Sequence, residues 1–383
     1  MHILCERDRL WTAFQAAASV LPSRSPKPIL QHIRFEATGP IGTMSATDLE
    51  TGVIIDVDGL QCNVPGVVIL PADRFGAILR ETSEDTIELK ADGNNVELRA
   101  GKSRFQLPIH DPNEYPRLEG YDLDEGFFSL RGSVLRELVR KTLFATSQDS
   151  NRYDLGGVLL ELHNDHIIAV STDGRRLAKL LCPCEVVGTP QIPQTMTIVP
   201  AKAMNLAQRI FGDAEDVHLV IRENELILRG KGTIFFSRLL EGRFPKWDMV
   251  IPKGREGECI DLSVGTLLSS LRQASIVADQ ESRGIDFDFR EGQVILSAST
   301  AERGNCRVPV PISYEGPAID VRLDYRYLEE FLKALELDSI FHLSVKDQES
   351  AALCTTDNGY AYVIMPLSRA TVAESVGTAT VDG

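Results

Sequence analysis

The hydrophobic positions of the chain fall into one pattern that occurs three times. Leu10-Trp11, Phe14 and Ala17-Ala18 are spaced by three and four and predict an amphipathic helix. Pro28-Ile29-Leu30 and the alternation Ile33-Arg34-Phe35 then predict a turn into a strand. The same signals return at Val134-Leu135, Leu138-Val139 and Leu143 before the run Leu155-Gly156-Gly157-Val158-Leu159-Leu160. They return again at Leu267-Leu268, Leu271 and Ile276 before Ile285-Asp286-Phe287-Asp288-Phe289. A second landmark keeps step. Val68-Ile69-Leu70-Pro71, Thr197-Ile198-Val199-Pro200 and Val321-Arg322-Leu323-Asp324 each read as a short strand running into a helix. Leu70 to Val199 is 129 residues and Val199 to Leu323 is 124, so the period is near 125–130.

A third landmark is a set of turns, Ser45-Ala46-Thr47-Asp48, Ser171-Thr172-Asp173-Gly174 and Ser297-Ala298-Ser299-Thr300. Three landmarks in one order at one period predict a triplicated α+β unit, each copy holding two helices on an antiparallel sheet. The expected domains are 1–124, 125–255 and 256–369, followed by a small, polar, mobile tail at 370–383. Sheet edges must be paired or covered. Three similar units can do so by continuing one sheet into the next, and a head-to-tail ring leaves no edge.

Composition narrows the class. A chain of 383 residues with 43% hydrophobic and 25% charged content is an ordinary globular protein of two or three domains. No run approaches the roughly 18 apolar residues of a membrane helix. Met1 to Asp8 holds three apolar residues before charges interrupt, too few for a secretory signal. Seven scattered cysteines make no disulfide framework, which points to a reducing cytoplasm.

Catalytic chemistry is hard to find. Gly101-Lys102-Ser103 lacks the earlier glycine of a phosphate loop, because position 96 is Val, and reads as a hairpin. His163-Asn164-Asp165-His166 lies between two strand-like runs, where Asn-Asp signals a turn. Cys182-Pro183-Cys184 has no partner pair at zinc spacing. A binding or scaffolding protein is the expectation.

The net charge of −15 argues against nucleic acid until it is divided. The predicted helical windows 6–20, 72–82, 132–148, 201–212, 263–280 and 325–335 hold twelve basic and eight acidic residues, net +4, which leaves −19 elsewhere. Arg136 with Arg140, and Lys202 with Arg209, share helix faces opposite the apolar stripes. Arg24, Lys27 and Arg152-Tyr153 add charge from loops. If six such helices line one side of an array, their fields add.

The motifs Pro28-Ile29-Leu30, Ala46-Thr47-Asp48-Leu49-Glu50, Ser171 to Ala178, Glu241-Gly242-Arg243-Phe244-Pro245 and Tyr362-Val363-Ile364-Met365-Pro366 together resemble the bacterial DNA polymerase III beta subunits, the sliding clamps of replication. The resemblance spans residues 1 to about 369 in the family's order. It implies a head-to-tail homodimer whose six domains encircle duplex DNA, helices inward, without catalytic residues, cofactor or metal. It also implies a bacterial cytoplasmic, nucleoid-associated protein. The implied partners are a clamp loader, replicative and translesion DNA polymerases, DNA ligase and mismatch-repair proteins.

By resemblance, DNA contacts fall on Arg24, Arg74, Gln148, Arg152 and Tyr153. Asp73 stands where a basic residue is usual, and Asp154 where an aromatic can occur. A groove for short partner peptides maps to Leu155, Thr172, Gly174, Arg175, Arg176 and Leu177, to Pro245, Met249 and Val250, and to Val363, Ile364, Met365, Pro366, Leu367 and Arg369. Arg175 replaces a common histidine, which favours acidic peptides. The subunit contact maps to Phe105 and Leu107 against Ile276 and Val277. Two other readings remain from the residues alone. One is an interaction scaffold with no DNA role; the other is a metal-dependent hydrolase using His163, Asp165 and His166.

Overall fold

The computed structural model describes residues 1–118, 126–149, 152–193, 195–252 and 257–368. The expected domain boundaries and the tail at 370–383 lie outside those residues. Among the described residues six α-helices occur: α1 (Arg7–Ala18), α2 (Ala72–Glu81), α3 (Gly132–Thr142), α4 (Ala201–Phe211), α5 (Val264–Ser275) and α6 (Tyr325–Lys333). Each forms where the apolar spacing placed it. Leu10, Ala13, Phe14 and Ala17 are the buried stripe of α1, and Leu267, Leu268, Leu271 and Ala274 lie in that of α5. The second helix of each repeat grows directly from a strand. The Asp324 side chain caps α6 by accepting from the Arg326 N–H at 2.9 Å. α3 and α5 end sooner than their apolar periodicity suggested, α3 tightening into a 3₁₀ turn at Leu143–Ala145.

Helices pack in the pairs α1 with α2, α3 with α4, and α5 with α6. Gly76 allows the first pair to meet, because a Cβ there would lie 2.3 Å from the buried Phe14 ring. Among the described residues no helix is long and apolar enough to cross a membrane.

The chain divides into two compact units, Met1–Ser171 with Leu181–Pro245, and Thr172–Leu180 with Lys246–Gly383. In the first, one antiparallel sheet runs Gln61–Val64, His2–Glu6, Thr86–Asp92, Asn95–Ala100, Ser103–Pro108. A nine-stranded sheet runs Glu185–Val187, Phe127–Leu130, Val217–Arg222, Glu225–Gly230, Thr233–Arg238, Thr51–Asp58, Ile41–Thr47, His32–Ala37, Gly66–Pro71. Its middle joins two repeats: Thr233–Arg238 pairs antiparallel with Thr51–Asp58, with Phe235 opposite Val53 and Phe236 opposite Gly52. Gly52 has no side chain because the Phe236 ring fills its place, 2.0 Å from where a Cβ would stand. This shared sheet makes one unit of two repeats. Gly157–Leu162 pairs with Thr197–Pro200 on one side and with His166–Thr172 on the other.

In the second unit, the start of Arg176–Pro183 pairs with Ala361–Ile364, which continues through Ala352–Thr355 and Ile340–Val345 to the edge strand Glu258–Ser263. A four-stranded sheet runs Gly304–Pro311, Gln293–Thr300, Gly284–Arg290, Ile319–Asp324.

The repeat extends to single hydrogen bonds. Thr47 Oγ1 donates to the Thr51 carbonyl at 2.7 Å and accepts from Leu49 N–H at 2.9 Å, while Asp48 Oδ1 accepts from Glu50 and Thr51. Thr172 and Asp173 repeat every one of these bonds with Arg176, Gly174 and Arg175. The residue after the Asp takes positive φ in both, +88° at Gly174 and +80° at Leu49. The structure corrects the third turn. Ala301 supplies no carboxylate there, so Thr300 Oγ1 accepts instead from Arg303 N–H at 3.1 Å in a wider turn.

Candidate functional sites

Positive charge is the first candidate. The observed helices hold twelve basic and six acidic residues, net +6, leaving −21 for the rest of the chain. Ten of the twelve cations are exposed. Lys141 is a correction: it is 4% exposed and its Nζ lies 2.6 Å from Glu137, so it belongs to the interior. Sequence spacing puts Lys141 beside Arg140, but Arg140 is exposed while Lys141 is buried. Several exposed cations are paired within the protein, Arg136 with Asp213, Lys202 with Asp48, and Arg272 and Lys333 with Glu329 at 3.3 and 2.8 Å. The exposed Arg136–Asp213 pair is worth about 0–1 kcal/mol, so a phosphate can exchange with that carboxylate at little cost, whereas the Asp48 carboxylate is 9% exposed and holds Lys202 more firmly.

Of the expected DNA contacts, Arg24, Arg74, Gln148 and Arg152 are exposed, all in the first unit. Arg24 lies in the segment after α1; Arg74 lies on α2 beside Asp73, which is also exposed. Arg152 N–H donates to the Asp149 carbonyl at 3.1 Å. The side chain of Tyr153 lies outside the described residues.

The second candidate is a surface of the second unit. The turn Thr172–Arg176 and the strand Ala361–Ile364 are locked together, with Arg176 opposite Ile364, Leu177 opposite Val363, and Met365 N–H donating to the Arg175 carbonyl at 2.9 Å. Here the structure revises the roles expected of several residues. Leu177, Val363 and Ile364 are no more than 2% exposed and form core, so only their backbone helps to build the surface. Arg176 is 8% exposed. It donates to Asp173 at 2.9 Å, pairs with Glu330 and Tyr362, and lies 4.4 Å over the Tyr327 ring. Its guanidinium, buried against these partners, holds the site together. The buried Thr172 hydroxyl serves the turn in the same way, donating to the Arg176 carbonyl at 2.6 Å.

What remains accessible is Gly174, Arg175, Met365 at 42% exposure, and the half-buried Pro366 and Leu367. Arg175 and Leu367 border a cleft of about 1140 Å³ whose other walls include Asp286, Arg322 and Tyr327. Met365, Pro366 and Leu367 line a second hollow of about 590 Å³ with Arg322, Gln348 and Glu349. The Leu367 N–H donates to the Arg322 carbonyl at 2.8 Å, which sets the segment between the two hollows. The third-repeat residues were missed from sequence, although the alternation Ile285 to Phe289 already marks one polar strand face. Met249 and Val250, in the same unit, are exposed at 72% and 43%. Leu155 (1% exposed) and the exposed Pro245 belong to the first unit. Arg369 lies outside the described residues.

Of the subunit-contact residues, Phe105 is 37% exposed on the edge strand Ser103–Pro108 and Ile276 is 72% exposed at the end of α5. Val277 is half-buried. Leu107 is a correction: at 8% exposure, opposite Val96, it packs into its own sheet. Phe105, two residues away, shares that strand face but lies where it is open to solvent.

The catalytic alternatives fare poorly. Ala100 pairs with Ser103 across a two-residue hairpin at Gly101-Lys102, with φ +56° at Gly101. His163 N–H donates to the His166 carbonyl at 2.9 Å, closing a hairpin in which the two rings stack at 4.5 Å. Asp165 Oδ1 bonds His166 Nδ1 at 2.6 Å, so the three side chains serve a turn and make no converging donor set. Burial pushes the Cys182 thiol up to about 12, the state of an inert core residue.

Comparison with known proteins agrees with this architecture. Family models described as the N-terminal, central and C-terminal domains of the DNA polymerase III beta subunit match residues 1–119, 129–246 and 248–368. A beta sliding clamp of Pseudomonas putida is 29% identical over 380 residues, covering 96% of this chain and all of that one. One from Proteus mirabilis is 28% identical over 378 residues, with the same coverage of both chains. The crystal structure of the DNA polymerase III subunit beta from Pseudomonas aeruginosa superposes with TM-score 0.89 at 26% identity, covering 96% of this chain and 100% of that one. The fold is shared as closely with the Bacillus subtilis DNA polymerase sliding clamp, TM-score 0.89 at 23% identity, covering 97% and 100%.

Proposed function

The chain belongs to the DNA polymerase III beta subunit family and is a processivity sliding clamp, and from that premise we propose that two copies close head to tail into a ring around duplex DNA. The observation that carries this reading is the division of charge, net +6 on six helices within a chain of −15. A ring with its helices inward presents that charge to phosphate and keeps the acidic remainder outside. Affinity then comes from topology, and weak, exchangeable phosphate contacts leave the ring free to slide. Arg24, Arg74, Gln148, Arg152 and Tyr153 are the DNA contacts of this reading.

Ring closure is supported by two open edges. Ser103–Pro108 and Gly304–Pro311 end their sheets with largely exposed faces, and pairing one with the other across two subunits satisfies both ladders. Phe105 and Ile276 are the exposed apolar groups near those edges, with Val277 beside them. In the ring the subunit contact buries them.

The surface around Gly174, Arg175, Met249, Val250 and Met365 to Leu367 receives short linear peptides of partner proteins. Each buried leucine or phenylalanine anchor contributes roughly 1.5–3 kcal/mol, so a five-residue peptide reaches micromolar binding. Arg175 favours an acidic group in that peptide. A clamp loader, replicative and translesion polymerases, DNA ligase and mismatch-repair proteins are the partners of this reading. The protein tethers enzymes on DNA in the bacterial cytoplasm and performs no reaction itself, so it needs neither cofactor nor catalytic metal. Sedimentation tests the ring: the chain runs as a dimer and the double variant Ile276→Asp, Val277→Asp as a monomer. A variant that remains dimeric refutes this subunit contact.

A further inference from the structure

The geometry points to a divalent transition-metal site on the edge of the second unit, formed by Cys259, Asp261 and His342 with Asp357 behind them. Cys259 and Asp261 are two apart on Glu258–Ser263, so both point from its exposed face, while Ile260 and Leu262 point to the core. His342 stands directly opposite Asp261 on the neighbouring strand, and Cys259 is opposite Ser344. One thiol sulfur, one imidazole nitrogen and one carboxylate oxygen thereby lie within 4.8 Å of one another. No other such set of three occurs among the described residues.

The order of the donors favours a metal over a catalytic thiol. Asp261 Oδ1 lies 2.7 Å from His342 Nδ1, and Asp357 Oδ1 lies 3.2 Å from Nε2. Both ring nitrogens face carboxylates, so neither is turned to take a proton from Cys259 as a general base does. A cation entering between Nδ1 and Asp261 takes both as ligands and adds the Cys259 sulfur, whose proton leaves to solvent. Nε2–H then donates to Asp357, an outer carboxylate that fixes the tautomer and ring orientation. Three protein ligands of N, O and S type with water in the fourth position suit zinc or cobalt, while the thiolate and imidazole disfavour magnesium and calcium. Bound metal ties Glu258–Ser263, the last strand of its sheet, to Ile340–Val345 through side chains as well as the backbone ladder.

Titration of the untagged full-length chain with cobalt(II) tests this directly. One equivalent binds per chain and produces a near-ultraviolet thiolate-to-cobalt charge-transfer band. Cys259→Ser abolishes the band, His342→Gln weakens cobalt binding at least tenfold, and Asp357→Asn weakens it by about 10–100-fold with the band retained. Cys62→Ser and Cys306→Ser, which change the half-buried thiols elsewhere, leave the band unchanged. Circular dichroism of each variant confirms that it is folded. Absence of the band in the parent chain, its survival in Cys259→Ser, or its loss in Cys306→Ser overturns the site.

Discussion

Arg176→Ala is the substitution that most clearly separates a residue that builds the proposed peptide surface from one that contacts the peptide. Asp173 is 15% exposed and loses a charge-assisted bond at 2.9 Å, but keeps its bonds from the Arg175 and Arg176 backbone N–H groups. That loss costs about 1.5–3 kcal/mol. Removing the cation from the face of Tyr327 costs about another 0.5–2 kcal/mol. Glu330 is 44% exposed and recovers water, so its lost ion pair adds little. The sum is about 2–5 kcal/mol, a large fraction of the stability of one domain. Hydrogen exchange of the Ala361–Ile364 amides reads the loss where it occurs, and Arg176→Lys, which keeps charge without the planar fork, falls between. At a denaturant-free temperature where both fold, the variant's peptide affinity drops in proportion to the open fraction. A loss under about 1 kcal/mol with peptide affinity abolished refutes the argument, because Arg176 would then act on the ligand itself.

Other consequences follow from single contacts. Gly52→Ala drives a Cβ into Phe236 and destabilises the first unit by about 1–3 kcal/mol in urea melts, while the same change at Gly93, with open space around it, costs little beyond its positive φ. Burial raises the Asp48 carboxyl, but Lys202 and the bonds from Thr51 outweigh it and hold the pKa below its ordinary value. A lowered pKa gives stability that is full above about pH 4 and is lost as pH falls through the folded value, so Asp48→Asn flattens the acid limb of the melting profile below pH 4. Reversing Arg24, Arg74 and Arg152 to Glu weakens DNA association and makes its salt slope shallower by about 0.9 per lost phosphate contact. An unchanged slope in filter binding removes those residues from the DNA face.

Much of the fold was legible because its signals are local. Apolar spacing places all six helices within a few residues, and the Thr-Asp turns at Thr47 and Thr172 share their hydrogen bonds because they share their side chains. The need to continue one sheet into the next was also readable. That Thr233–Arg238 would meet Thr51–Asp58 was not, since register between distant strands depends on packing such as Phe236 over Gly52. Charge counting found the helix faces but could not see that Lys141 turns inward to Glu137. The groove residues drawn from the resemblance include Arg176, Leu177 and Val363, whose side chains serve the interior, because a motif does not show which way a side chain faces. Cys259 and His342 carry no motif at all; only strand pairing brings them together.

The ring itself is tested most directly by loading the protein with a clamp loader onto a nicked circular duplex and then cutting the circle once. An encircling clamp stays on the closed circle through high-salt washing and runs off the free ends after cutting, whereas retention on the linear DNA contradicts topological binding.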